Sequence, residues 1–330
     1  MIISRTPFRI SFFGGGSDYP AWYLKHGGQV LSTSIDKYCF ISCRHLPPFF
    51  EHTHRIVYSK IESVVNIDDI QHPAVRGVLQ WSDYTRGLEI HHDGDLPARS
   101  GLGSSSSFTV GLINALHAIQ GRYISKEGLA QAALHVEQNV IGENVGSQDQ
   151  IAAAFGGFNL IRFLQNGSFQ VEPIVLPSQR LAELQQHLIL VFTGFSRIAS
   201  EIAKDKISNL EHKVTEVTHL SNMVSEAMNI LSQPSTNINE FGQLLHEAWQ
   251  YKRGLSTKVT TSAIDDIYNK AIQSGALGGK LLGAGGGGFM LLFAPPEQHQ
   301  TIIQALDLVH VPFEFDNSGS KIVLYEPNGL

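Results

Sequence analysis

Pro97-Ala98-Arg99-Ser100-Gly101-Leu102-Gly103-Ser104-Ser105-Ser106-Ser107 places two glycines and four consecutive serines directly before a helical pattern. Apolar residues then recur at helical spacing, at Phe108, Leu112, Ile113, Leu116 and Ile119. The first amides of a helix have no intrahelical partner and lie at the positive end of its dipole. One serine is enough to cap a helix, so four after Gly-Leu-Gly favour a phosphate-binding loop over a simple cap.

A second glycine-rich segment lies near the C-terminus, at Gly278-Gly279-Lys280-Leu281-Leu282-Gly283-Ala284-Gly285-Gly286-Gly287-Gly288. Its last six residues match the dinucleotide pattern G-x-G-x-x-G, but they run into an apolar strand instead of a helix. The Walker A pattern fails as well, because Leu281 follows Lys280 where Ser or Thr is required. A nucleotide site that is neither a Rossmann nor a P-loop site is therefore predicted.

A third segment begins the chain, at Arg9-Ile10-Ser11-Phe12-Phe13-Gly14-Gly15-Gly16-Ser17-Asp18-Tyr19. A strand ends in three glycines and then presents Ser17 and Asp18. A carboxylate beside permissive backbone suits sugar hydroxyls, although a tight turn with a capping Asp explains the same residues.

Composition limits the classes of function. The 330 residues are 42% hydrophobic and 16% charged, with a formal charge of -6. This excludes a nucleic-acid binder that relies on a general positive field. No run approaches a membrane span and the N-terminus does not resemble a signal peptide, so a cytoplasmic protein without a membrane partner is expected. Cys39 and Cys43 are predicted to be reduced core thiols, and the scattered histidines to be solvated.

The order of patterns predicts an α+β protein with a boundary near residue 180. Most of the first hundred residues are predicted as strands and turns, including strands over 29–35 and 38–42. Helices are predicted over 104–119, 126–141, 198–231 and 238–255, and later strands over 187–192, 288–293 and 320–325.

Together the three segments resemble the GHMP kinases. Residues 97–107 are similar to their P-x-x-x-G-L-G-S-S motif, residues 280–288 to their third motif, and residues 9–18 to their sugar-side first motif. Segments 12–18, 32–38, 70–73, 101–112 and 193–200 further resemble the D-glycero-D-manno-heptose 7-phosphate kinase branch.

The resemblance implies a fold and two domains. An N-terminal domain over 1–180, like domain 2 of ribosomal protein S5, would carry the phosphate loop and the catalytic base. A ferredoxin-like C-terminal domain over 181–330 would carry the third motif. ATP, Mg²⁺ and a small sugar phosphate would meet between them, with the oligomeric state left open and a homodimer as one option.

The resemblance also implies roles for individual residues. Asp149 would be the general base with Arg9 beside it, and Glu137 would hold Mg²⁺ with the hydroxyl of Ser104 or Ser105. The nucleotide phosphates would bind Pro97, Ser100, Gly101, Leu102, Gly103, Ser104, Ser105, Ser106 and Ser107. The substrate would bind Gly15, Gly16, Ser17, Asp18, Lys37, Arg197, Gly285 and Gly286.

Two positions depart from the branch pattern, because Ser147 stands where a Lys is expected and Asn144 where a Pro is common. A substrate phosphate still needs cations, and the candidates are Lys37, Arg197, Lys252 and Arg253. Each of the four is also explained as a solvated surface charge.

The expected reaction is transfer of the γ-phosphoryl group of ATP to O1 of D-glycero-α-D-manno-heptose 7-phosphate, giving a 1,7-bisphosphate for nucleotide-activated heptose synthesis. Two alternatives stay open at this point. One is a kinase of the same fold acting on an unphosphorylated sugar such as fucose or galactose. The other is a catalytically silent sugar sensor. A nicotinamide-dependent dehydrogenase is disfavoured by the strand after Gly288.

Overall fold

A computed structural model of the chain describes residues 1–98, 100–194 and 199–327. Its strands, in chain order, are β1 (Ile2–Phe13), β2 (Gly28–His45), β3 (His54–Val57), β4 (Ile61–Val64), β5 (Leu88–Gly94), β6 (Phe158–Phe163), β7 (Phe169–Pro173), β8 (Leu188–Phe192), β9 (Gly278–Leu281), β10 (Phe289–Phe293), β11 (Val309–His310), β12 (Phe315–Asp316) and β13 (Lys321–Tyr325). Among the described residues these strands form a nine-stranded and a four-stranded sheet.

The α-helices are α1 (Pro20–His26), α2 (Pro73–Trp81), α3 (Ser104–Ile119), α4 (Lys126–His135), α5 (Gln148–Phe155), α6 (Ser178–Gln186), α7 (Ala199–Asn209), α8 (Val214–Ser232), α9 (Asn239–Arg253), α10 (Ser262–Gln273) and α11 (His299–Leu306). Side chains cap several of them: Ser125 accepts from the Gly128 amide at the start of α4, and Thr261 from the Ile264 amide at the start of α10.

The long strand β2 organises the first sheet. It pairs with β1 along most of its length, with β6 through its first half and with β5 through its second half. Two separate strands were predicted here, which is wrong. The pairing shifts between Pro7, opposite Tyr38, and Phe8, opposite Ile35, so a bulge absorbs the polar residues between the two predicted strands.

The second sheet has the antiparallel order β11-β8-β10-β9. The chain does not end there, because β12 pairs with β2 and β13 pairs with β1 in the first sheet. The strand predicted over 320–325 therefore exists, and it belongs to the sheet that opens the chain. The division at residue 180 stays a prediction, and the sheets themselves are not separated by one cut in the sequence.

Helix predictions need three corrections. The first hundred residues also contain α1 and α2, both of which begin at a proline at the first helical position. The pattern over 198–231 is two helices, because a 3₁₀ turn at Leu210–His212 and a non-helical Lys213 separate α7 from α8. The helix predicted over 126–141 continues past α4 as a π-helical turn, Val136–Val140.

The apolar core lies between the first sheet and its helices, with a second cluster around the other sheet. Cys39 and Cys43 are buried free thiols within it, as predicted. Within the described ranges, no helix is both long and apolar enough to cross a membrane. In the same part of the chain, no group of three or more His, Cys, Asp or Glu side chains is placed to hold a metal ion.

Candidate active site

The helix α3 begins at the predicted phosphate loop. Gly103 adopts a left-handed conformation directly before the helix, with φ 76° and ψ 21°. The main chain of Arg9 fixes this turn, because its amide donates to the Leu102 carbonyl at 3.0 Å. The first turn of α3 thus presents its amides and the Ser104–Ser106 side chains to a cavity.

Close backbone contact explains the glycines of the phosphate loop and of the C-terminal glycine-rich segment. A Cβ atom on Gly101 would lie 2.6 Å from the Leu282 carbonyl oxygen, and one on Gly283 would lie 2.6 Å from the Gly101 Cα. A Cβ atom on Gly288 would lie 2.1 Å from the Ser100 carbonyl oxygen. The third motif therefore packs directly on the phosphate loop and supports it from the second sheet.

Asp149 and Arg9 form a two-pronged ion pair. The Arg9 Nε donates to Asp149 Oδ1 at 2.7 Å, and Nη2 donates to Oδ2 at 2.8 Å. The third nitrogen, Nη1, donates to the Gly101 carbonyl at 2.8 Å. Arg9 is buried whereas Asp149 is partly open to the cavity. The guanidinium therefore orients the carboxylate and ties it to the phosphate loop.

Asp18 lies beside this pair. Its carboxylate accepts from the Gly16 amide and from the Gln148 side chain, each at 2.9 Å. Burial raises the pKa of Asp18, and the nearby Asp149 adds to the shift. A Cβ atom on Gly146 would lie 2.0 Å from Asp18 Oδ2, so a side chain there would displace the Asp18 carboxylate.

Together these groups surround one cavity of about 220 Å³. Its wall includes Gly103 at the end of the phosphate loop, the Arg9–Asp149 pair, and Asp18 with Gly15 and Gly16. The remaining wall includes Ser11, Glu143, Asn144 and the lysines Lys206, Lys252 and Lys280.

Three lysines in this wall are buried. Lys280 donates to the Phe12 carbonyl at 2.7 Å, and Lys252 donates to the Leu281 and Gly283 carbonyls at 2.6 and 2.8 Å. Burial lowers the pKa of Lys280 to about 7 and that of Lys206 to about 8. Burial also lowers the pKa of Lys252, and its cationic neighbours lower it further. The charged forms of these lysines are therefore disfavoured by burial, and an anion at this wall would stabilise them.

Glu137 lies below the phosphate loop on the π-helical turn. It is 1% exposed, unlike the solvated helix residue that its sequence context alone indicates. Ser106 Oγ donates to its Oε2 at 2.9 Å and the Gln150 side chain donates to the same oxygen. Its Oε1 has no hydrogen-bond partner, and burial raises its pKa to about 7.

Other predicted site residues bond to the protein's own main chain or to neighbouring charged side chains. The Ser17 hydroxyl donates to the Gly14 and Gln29 carbonyls and the Ser107 hydroxyl to the Pro7 carbonyl, so both support the backbone. Lys37 pairs with its neighbour Asp36, and Arg253 pairs with Asp265.

Several predicted residues do not line the cavity, namely Pro97, Ser100, Leu102, Ser17, Ser107, Lys37, Glu137, Gly285 and Gly286. Arg197 lies outside the described residues. Ser147 is also buried away from the wall, within hydrogen-bond distance of the Tyr23 hydroxyl and the Gln138 side chain. A cation is therefore not supplied from position 147.

Two lysines of the cavity wall were not predicted as site residues. Lys280 was visible inside the third motif but was given no role. Lys206 carries no local signal, because it is one of several charged residues on a helical pattern.

Two family profiles match the chain. Residues 71–157 match the profile described as the GHMP kinases N terminal domain, and residues 227–308 match GHMP kinases C terminal. These matches cover about half of the chain. The chain belongs to the GHMP kinases.

Relatives of this kinase extend the likeness to nearly its whole length. It is 30% identical over 325 residues to a D-glycero-alpha-D-manno-heptose 7-phosphate kinase of Campylobacter jejuni, covering 92% of this chain and 93% of that protein. It is 26% identical over 344 residues to a galactokinase of Pyrococcus furiosus, covering 92% of each.

Solved structures share the fold. A D-glycero-D-manno-heptose 1-phosphate kinase from Bacteroides thetaiotaomicron superposes with a TM-score of 0.79 at 23% identity, covering 98% of each chain. Galactokinase from Lactococcus lactis, complexed with galactose, gives 0.74 at 19% identity, covering 97% and 94%. The predicted α+β GHMP kinase fold and the phosphotransferase class are confirmed, and the family implies ATP as donor.

Proposed function

We propose that this kinase transfers the γ-phosphoryl group of ATP to O1 of D-glycero-α-D-manno-heptose 7-phosphate. The observation that supports it best is one cavity that joins a helix N-terminus, an oriented carboxylate and a lysine-rich wall. A phosphorylated sugar suits that wall better than a neutral sugar does. The name of the 30% identical relative specifies the same acceptor. The product, a 1,7-bisphosphate, would supply nucleotide-activated heptose synthesis.

Asp149 is the proposed general base. It would take the proton from the O1 hydroxyl as the oxygen forms a bond to the γ-phosphorus and the bond from that phosphorus to ADP breaks. Arg9 holds the carboxylate by two hydrogen bonds, so its direction is set before substrate binds. The amides of the first turn of α3, with Ser104–Ser106, would hold the triphosphate.

The residues around Glu137 fit a Mg²⁺ ion. A buried carboxylate oxygen without a partner, next to serine hydroxyls, is the kind of oxygen donor set that this ion binds. We propose Glu137 in this role with Ser104 or Ser105, as the family resemblance implies, and add Ser106 because its hydroxyl contacts Glu137. When bound, the ion would neutralise charge on the phosphates.

The proposal is tested with purified protein, MgATP and a panel of sugars with and without a terminal phosphate, following ADP release. Heptose 7-phosphate is expected to be turned over and free hexoses are not. Asp149→Asn should lower kcat by about 10²- to 10⁴-fold, because the proton acceptor is removed.

The matched control is Asp265→Asn. Asp265 is as exposed as Asp149, at 26%, and is also held by an arginine, but it lies outside the cavity wall. Its variant should keep the wild-type rate. Turnover of fucose or galactose instead would move the kinase to an unphosphorylated acceptor. ATP binding without turnover of any sugar would favour a silent sensor.

A further inference from the structure

Lys206 differs from the other lysines of the cavity wall. It is 5% exposed, yet it makes no hydrogen bond or ion pair with the described residues. Lys252 and Lys280 already donate to main-chain carbonyls. The Lys206 side chain is mostly buried, and no protein group replaces the hydration that its ammonium loses, so the charged form is disfavoured. An anionic ligand that reached this residue would therefore stabilise its charged form.

The charged side chains around Lys206 also favour an anionic ligand. Arg9 and Asp149 satisfy each other, which leaves Lys206, Lys252 and Lys280 opposite Asp18 and Glu143 in the described wall. The positive charges of Lys206 and Lys280 lower the pKa of Lys252, and that of Lys206 also lowers the pKa of Lys280. An anionic ligand would relieve this repulsion.

The position of Lys206 selects which anion it meets. The phosphate loop meets the Arg9–Asp149 pair at Gly103, whereas Lys206 is close enough to Asp18 for that carboxylate to raise its pKa. An acceptor whose hydroxyl reaches Asp149 from this side would extend toward Asp18 and Lys206. The group met there is remote from the transferred phosphoryl group.

We propose that Lys206, with Lys252 and Lys280 behind it, binds the non-reacting phosphate of the acceptor and selects phosphorylated sugars. This inference rests on the proposed function, because it assumes a phosphorylated acceptor. Lys206 comes from α7, a helix of the C-terminal half, and reaches a wall otherwise built largely by the first sheet and its loops. Acceptor choice is thereby assigned to that helix.

The test compares Lys206→Met with Lys204→Met, an exposed lysine two residues earlier on the same helix. With heptose 7-phosphate, Lys206→Met should raise KM about 30-fold while kcat and the KM for ATP stay within about threefold, as for a lost charged hydrogen bond. With the same heptose lacking its phosphate, wild type and Lys206→Met should have equal kcat/KM. Lys204→Met should match wild type throughout.

The inference would be overturned if Lys206→Met lost kcat/KM equally on the two heptoses, or if its KM for ATP rose. Binding separates it from the proposed function. D-mannose 6-phosphate is titrated calorimetrically into enzyme saturated with a non-hydrolysable ATP analogue, and Lys206→Met should weaken its binding about 30-fold. If Lys206→Met binds D-mannose 6-phosphate more weakly but the wild-type enzyme does not turn over heptose 7-phosphate, the subsite is retained and the proposed function is rejected. Equal binding to all three proteins, or none to any, would reject the subsite.

Discussion

Buried charge sets the properties of individual cavity residues. Lys280 has its ammonium against the Phe12 carbonyl and is 6% exposed, with Arg9 and Lys206 nearby. Burial and these cations lower its pKa to about 7 from 10.5. The charged form is therefore disfavoured in the folded protein, which links stability to pH.

The sign of this link is predicted for Lys280→Met. Between pH 7 and 10.5 the unfolded chain binds more protons at this residue than the folded one, so wild-type stability rises with pH there. Below pH 7 both states are protonated and the penalty is complete. The free energy of unfolding of Lys280→Met minus that of wild type should thus be largest below pH 7. Above pH 7 this difference should decline by up to about 1.4 kcal/mol per pH unit.

Urea unfolding at pH 6 to 9.5 measures this difference. The control is Lys270→Met, at an exposed lysine on α10, whose stability should run parallel to that of wild type at every pH. A constant difference between Lys280→Met and wild type over the whole range would contradict the assigned shift.

At the scale of elements, the phosphate loop depends on a loop from the other sheet. The loop before α3 and the loop between β9 and β10 meet backbone to backbone at Gly101 and Gly283. The loop pair is held by further main-chain bonds, since the Phe289 amide donates to the Ser100 carbonyl and the Leu282 amide to the Phe289 carbonyl. A glycine-rich third motif is needed because side chains would separate the two loops.

This contact predicts a difference between two glycines with nearly equal φ angles. Gly283 has φ +68° and Gly121 has φ +66°, but only Gly121 has open space around its missing Cβ. Gly121→Ala should cost about 1–2 kcal/mol from the left-handed conformation alone. Gly283→Ala should cost roughly 1–3 kcal/mol more and raise the KM for ATP at least about tenfold, because the phosphate loop must move.

Thermal unfolding and ATP kinetics of both variants decide the point. If Gly283→Ala resembles Gly121→Ala in stability and in its KM for ATP, the loop contact does not support the nucleotide site.

At the scale of the whole molecule, the last strand returns to the first sheet. In β13, Ile322 lies opposite Ser4 of β1 and packs against the main core, whereas Val323 is 48% exposed. The proposed domain 181–330 thus contributes β12 and β13 to the sheet of the proposed domain 1–180. The N-terminal sheet is complete only when the chain has passed through the C-terminal half.

This topology predicts which sheet is destabilised by a substitution in β13. Ile322→Asp should destabilise the protein by about 1–3 kcal/mol and increase amide hydrogen exchange in residues 2–5, without a comparable increase in β10. Val323→Asp, one position along on the exposed face, should change stability by no more than about 0.5 kcal/mol.

Hydrogen exchange with peptide-level mass spectrometry measures both regions at once. Faster exchange confined to β10 and its neighbours, with residues 2–5 unchanged, would show that the last strand stabilises the other sheet instead.

The sequence predicted features that local pattern encodes. The helix after the phosphate loop, the strand after Gly288 and the two reduced cysteines follow from periodicity, turn residues and composition, and the structure confirms them. Family membership was also predicted from three motifs, because few other folds require glycines and serines at those spacings. The roles of Asp149, Arg9 and Glu137 came from the resemblance and stay predictions.

Features that depend on distant residues were decided only by the tertiary structure. The bulge that joins two predicted strands into β2 arises from pairing with β1, and the break between α7 and α8 lets α8 pack on the first sheet while α7 covers the cavity. Lys206 has no sequence signal because its burial depends on that packing. Local propensity determines which elements form, whereas burial and charge at the site arise from contacts between residues far apart in the chain.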